Sequence, residues 1–175
     1  MLEKLISWHS IKHHSYQGDN IPSSDSMHFL VQLCQNIILP LEAEFGPVVI
    51  TYGFTSHSLL RYILKHSPGD MAPNLDQHAA MERNSKGNRI CIRDGAACDF
   101  FIDGYENKMN EVAQYITRHL PFDRLYFYGK DSPIHISVST ENSRYALIRE
   151  ANSDGIRVNR KSAQGIATRR LFNTL

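Results

Sequence analysis

The chain has 175 residues, 42% of them apolar, which is enough for one well-buried core and too few for two ordinary domains. Net charge is +1 at pH 7 and names no partner, yet from Arg144 to Leu175 seven Lys or Arg face two acids, leaving the remainder net acidic at −4. Cys34, Cys91 and Cys98 form no Cys-x-x-Cys pair and leave an odd thiol in any disulfide scheme, which argues for a reducing compartment over a disulfide scaffold.

Residues 1–22, with His9, His13 and His14, read as an irregular, solvated N-terminal arm ending in DNIP. The arm has no unbroken apolar stretch or small-residue cleavage site, and no apolar run approaches a membrane span. The expectation is a protein made in the cytoplasm without a membrane segment, with lysis-type release as the alternative route out. Ser24 or Asp25 caps a long amphipathic helix whose Phe29, Leu30, Leu33, Ile37, Ile38 and Leu41 share one face. Pro40 kinks it and Gly46 ends it. PVVITYGF is a short buried strand, and SHSLLRYILKH is a second helix.

Residues 67–94, rich in Gly, Pro, Asn and charge, form an inserted loop with a short hairpin at RICIR. ACDFFID resumes a strand, ENKMNEVAQYITRHL is a helix, and FDRLYFYG with PIHISVST forms an antiparallel pair around GKDSP. Residues 144–175 are a basic, weakly patterned C-terminal extension. The whole is one domain of α+β class, a small antiparallel sheet packed against helices.

The residues that carry chemistry are His78, Asp99 and His135. Two imidazoles and a carboxylate are a mixed nitrogen and oxygen set suited to zinc, with a fourth tetrahedral position left open as in catalytic sites. Each also has a bland reading: an exposed loop histidine, a turn or cap aspartate, a satisfied core histidine. Alternation places His135, Ser137 and Ser139 on one strand face, and Cys98 opposite Asp99, in the core. Asp103 and Asp123 are acceptors for histidine N–H groups that the sequence does not place.

DNIPSSDSMHFLVQLCQNIILPLEAEFGPVVITYGFTS, then APNLDQH, GAACDF, and LPFDRLYFYG with PIHISV, resemble in order the phage- and bacteria-associated zinc peptidases that cut peptidoglycan cross-links and D-Ala-D-Ala ends. The resemblance covers roughly residues 15 to 140 and implies the Hedgehog/DD-peptidase fold, with His78, Asp99 and His135 as zinc ligands.

Three departures accompany it. The family's first histidine lies within His-x-x-Gly-x-Ala-x-Asp, whereas here Ile92 holds that place and His78 precedes Asp99 by 21 positions. An insertion of about fourteen residues that folds back reconciles the two, at a loop-closure cost of about 1 kcal/mol or less. The family's carboxylate-gripping arginine is replaced by Thr55, with Arg61 one helical turn on as a substitute and His57 close to the same substrate-lining turn. The family's catalytic acid has no clean match, since Tyr128 and Ser132 stand in its places, and Asp131 is the nearest carboxylate and the candidate general base.

The expected function is zinc-dependent hydrolysis of a peptide or amide bond, with a peptidoglycan-type peptide as the substrate that the resemblance implies. The alternative is a degenerate zinc-binding or metal-free interaction module, including one that binds nucleic acid through the basic extension with Phe172 nearby.

Overall fold

The computed structural model describes residues 1–69 and 71–173, and it replaces the irregular arm with two short helices, α1 (Leu2–Ser7) and α2 (His9–Lys12). Leu5 and Trp8 are buried, and so is His13. The Trp8 indole donates to the Phe54 carbonyl at 2.7 Å, and the Leu5 carbonyl accepts from the Phe54 N–H at 2.8 Å. Asn20 completes the clasp: its amide donates to the Phe54 carbonyl at 2.9 Å, and its oxygen accepts from the Ser56 N–H at 2.8 Å. Gly53 is required here, because a Cβ would lie 2.3 Å from the Leu5 carbonyl oxygen.

Ser23, not Ser24 or Asp25, caps α3 (Ser24–Leu33), its hydroxyl accepting from the Ser26 N–H. One π-turn, Cys34–Ile38, leads into α4 (Leu39–Phe45). The cause is Pro40, which has no N–H for the carbonyl four residues back and whose ring crowds it, so the turn widens just upstream. Gly46, at φ +98°, ends the helix as expected. The predicted apolar face of α3 to α4 is buried throughout. Each fully buried Leu or Ile contributes about 1.5–3 kcal/mol.

Six strands make one sheet: β1 (Val48–Tyr52), β2 (Ala96–Ile102), β3 (Arg124–Phe127), β4 (Ile134–Val138), β5 (Tyr145–Ala151) and β6 (Arg157–Gln164). Their order is β1-β2-β4-β3-β5-β6, antiparallel throughout except for the parallel β3–β5 pair. The class is therefore α+β with a mostly antiparallel sheet, as the sequence implies. One sheet face carries Phe100, Ile134, Ile136 and Ile148 into the main core with α3 and with α6 (Met109–His119). Near β1 a smaller cluster joins Trp8, Tyr52, Leu59 and Ile63, the last two from α5 (His57–His66).

The basic, weakly patterned extension contains regular structure. Its described part, residues 144–173, contributes β5, β6 and a 3-10 turn, Gly165–Arg170, and the two strands widen the sheet. Phe172, close after Arg169 and Arg170 in the chain, is 2% exposed and packs edge-on against Phe127. It is therefore not free to stack on a base. No helix among the described residues is long and apolar enough to cross a membrane.

Candidate metal centre and cleft

Sheet register builds half of the site. Asp99 on β2 pairs directly with His135 on β4, and His135 pairs in turn with Tyr126 on β3. Directly opposed antiparallel residues share a face and approach closely, and His135 Nδ1 lies 2.8 Å from Asp99 Oδ1. The Tyr126 ring stacks on the His135 imidazole at 4.8 Å and 12°, fixing its plane. The pleat sends Cys98 the other way, into the core, where it is fully buried and burial raises its thiol pKa well above the ordinary value.

The detour builds the other half. Its reversal is at Asn84–Asn88, with Gly87 in the left-handed region, rather than at RICIR. RICIR is the returning limb, on which the Ile92 N–H donates to the Asn74 carbonyl at 3.2 Å and the Ile90 N–H to Glu82 at 3.1 Å. The two ends thus close together, and the His78 carbonyl accepts from the Thr55 N–H at 3.0 Å. His78 Nε2 arrives 3.3 Å from Asp99 Oδ1, and ligand atoms of His78, Asp99 and His135 all lie within 4.8 Å of one another.

Two residues that the sequence reading missed hold this arrangement. Gln77, fully buried at φ +61°, donates to the Asp94 carbonyl and, at 3.2 Å, to Asp123 Oδ2. Gly95, at φ +117°, has no room for a side chain, since a Cβ would lie 1.9 Å from the Val138 carbonyl oxygen and 2.9 Å from Gln77 Nε2. The only sequence signal for either was adjacency to His78 and to the strand that bears Asp99. Asp123 serves this scaffold and not a histidine ring: it accepts from the Ser143 N–H and hydroxyl as well as from Gln77. Burial pulls its carboxyl pKa up, but these hydrogen bonds and Arg124 leave it lowered.

The protonation of the trio follows from its contacts. A carbonyl can only accept, so the His78 Nδ1 that faces the Gly53 carbonyl at 3.2 Å carries a hydrogen. Nε2 then turns either a second N–H or a lone pair towards Asp99. A lone pair 3.3 Å from a carboxylate oxygen is repulsive unless a cation lies between them. Burial lowers the His78 pKa, but the charge and hydrogen bond of Asp99 outweigh it and leave it raised. Burial likewise raises the Asp99 pKa, and the two imidazoles, His78 foremost, overcome this and hold it well below the usual carboxylate range. The pocket is built for a positive charge between the rings and the carboxylate, supplied by a proton or by a metal. Its donor set, the anchored Nδ1–H of His78 and the single oxygen facing both rings fit a metal ion.

A cleft of about 570 Å³ opens over the trio. Of the expected substrate residues none lines it. Thr55 is fully buried, its hydroxyl donating to the Gly53 carbonyl at 3.4 Å. Arg61 is exposed on α5, and His57 stands at that helix's first turn, outside the lining. Asp131 is exposed in the β3–β4 turn and does not line the cleft either. Asp76 does line it: Oδ2 accepts from the Ala72 N–H at 2.7 Å, while Oδ1 is buried with no partner. Tyr128 is also on the wall, and burial, with Asp99, raises its phenol pKa against the opposing pull of Arg149 and Arg157, so the hydroxyl keeps its proton at neutral pH.

Comparison with known protein families, with curated proteins and with solved structures found no match in any of the three.

Proposed function

We propose that the chain is a zinc-dependent hydrolase of peptide or amide bonds, with the Hedgehog/DD-peptidase fold and a peptidoglycan-type peptide as the substrate its motif order suggests. The observation that carries this reading is the convergence of His78, Asp99 and His135, from a loop and two adjacent strands, at the floor of an open cleft. Zinc held there supplies a Lewis acid that acidifies water and polarises a carbonyl. The chain's own residues supply orientation: Gly53 fixes the His78 tautomer, Tyr126 fixes the His135 plane, and the Tyr128 hydroxyl is a neutral donor for a substrate oxygen. Asp76, which lines the cleft and whose charge helps to raise the His78 pKa, takes the place of Asp131 as the carboxylate that would accept a proton from water at the centre.

One observation favours a second reading, a zinc-binding module without turnover: neither Thr55 nor Asp131 lines the cleft. Elemental analysis of purified protein, with turnover of a peptide library including peptidoglycan fragments, separates the two. One zinc per chain with turnover that His135→Ala abolishes supports the hydrolase. Stoichiometric zinc with no turnover supports the module, and absence of zinc sinks both.

A further inference from the structure

We propose that the cleft beside the trio binds a doubly negative group of the substrate, held by Arg149 and Arg157 of the β5–β6 hairpin and by Arg93 of the detour. This deepens the hydrolase reading and rests on it for the bond that is cut, but not for the binding.

The sheet puts these guanidiniums together. β5 runs parallel to β3 with Arg124 opposite Tyr145 and Tyr126 opposite Leu147, so Tyr145, Leu147 and Arg149 continue the face that bears the trio. Arg149 then pairs with Asn159 on β6, and Arg157, two residues before, turns to the same side. The Arg157 guanidinium lies over the Tyr128 ring at 4.4 Å. A stacked guanidinium is fixed in plane with its N–H edge free to form two parallel bonds to an oxyanion. Arg149 Nη2 donates to the Arg157 carbonyl at 3.4 Å, and its Nε is buried without a partner. Arg93 Nη1 is steadied by the Leu75 carbonyl and by the Tyr126 hydroxyl at 3.2 Å.

Charge accounting gives the valence of the ligand. Among the described residues no carboxylate lies within ion-pair distance of Arg93, Arg149 or Arg157, whereas Arg124 sits 3.7 Å from Asp123. Arg160, on the opposite face of β6, pairs with Glu150 at 3.2 Å. Among the described residues that line the cleft, and beyond the trio and Arg124 with its Asp123 partner, three uncompensated guanidiniums stand against the one carboxylate of Asp76, an excess of two positive charges. Like charges gathered in a concave, partly desolvated wall repel one another, and a dianion offsets that repulsion. A phosphoryl group and two neighbouring carboxylates share this chemistry.

The test uses full-length protein freed of metal, so that an anion cannot bind zinc. Isothermal titration at low ionic strength compares inorganic phosphate, succinate and acetate. At least one dianion should bind ten-fold or more tightly than acetate, and Arg149→Gln and Arg157→Gln should each weaken it at least five-fold. Arg160→Gln should change it less than two-fold. Arg149→Lys, which keeps the charge but loses the fork, should fall between wild type and Gln, and serves if the Gln variant fails to fold. Preference for phosphate assigns a phosphoryl group, and preference for succinate assigns paired carboxylates. Equal binding of all three anions, or an Arg160→Gln loss as large as that of Arg149→Gln, overturns the proposal. Zinc retained by a protein without anion preference would remove this inference alone, and the reverse result would remove the hydrolase reading alone.

Discussion

The His78 ring is anchored through Nδ1 to the Gly53 carbonyl at 3.2 Å, and this single bond decides which nitrogen meets Asp99. Asp99 receives both imidazoles on one oxygen, His78 at 3.3 Å and His135 at 2.8 Å. Asp99→Asn keeps the shape and removes the charge. Zinc affinity should fall at least 100-fold, read by competition with a chromophoric chelator. The metal-free protein should lose about 1.5–3 kcal/mol in urea denaturation at pH 6, the usual worth of hydrogen bonds to a charged group. Unchanged zinc affinity would place the metal elsewhere.

Metal-free and zinc-loaded protein should respond oppositely to pH. The raised His78 pKa contributes stability fully present below about 6.5, its ordinary value, and lost as pH rises through the folded value. The lowered Asp99 pKa contributes stability present above about 4 and lost as pH falls through its folded value. Metal-free protein should therefore draw most from this pair between about pH 4 and 6.5. Zinc must displace the His78 proton, so the rise in Tm on adding zinc should be larger at pH 8 than at pH 6. Thermal melts across that range, with and without zinc, check both trends.

The two carboxylates assigned the proton-accepting role can be separated by substitution. Asp76→Asn should lower kcat about 100-fold while zinc stays bound, within the usual range for loss of a general base. Asp131→Asn, in an exposed turn, should stay within about two-fold of wild type. The opposite pattern would return the role to Asp131.

Gly95→Ala should destabilise the protein by about 2–4 kcal/mol, combining a positive φ of +117° with a Cβ 1.9 Å from the Val138 carbonyl oxygen. Since the clash also pushes on Gln77, zinc affinity should drop together with stability. Denaturant melts and metal titration of one preparation test the coupling; a stable variant with weakened zinc binding would point to a purely local role.

Much of this was legible because periodicity and burial coincide. On the helical face from Phe29 to Leu41 they do so outright, whereas β4 is buried at every position and there the alternation around His135 sorts the two sheet faces instead. The trio was legible through motif order, and its closure is due to backbone bonds between the limbs of the detour. The arm was misread because Trp8 finds its partners, Tyr52 and the Phe54 carbonyl, more than forty positions away. β6 was invisible for a different reason. RVNRKSAQ is exposed along nearly its whole length, so an edge strand held by backbone pairing leaves no alternation to read. With β6 unseen, Arg157, which it brings to the cleft, was unseen as well.

The tight seating of Gly53 on the Leu5 carbonyl makes the opening helices a brace for a centre they never touch. A proteolytic nick or a bulky fusion near Leu5 would shift the carbonyl that orients the first imidazole, and metal loss would follow although every ligand remained in place. Damage at this remote hinge should look, in any assay of the centre, like damage to the centre itself.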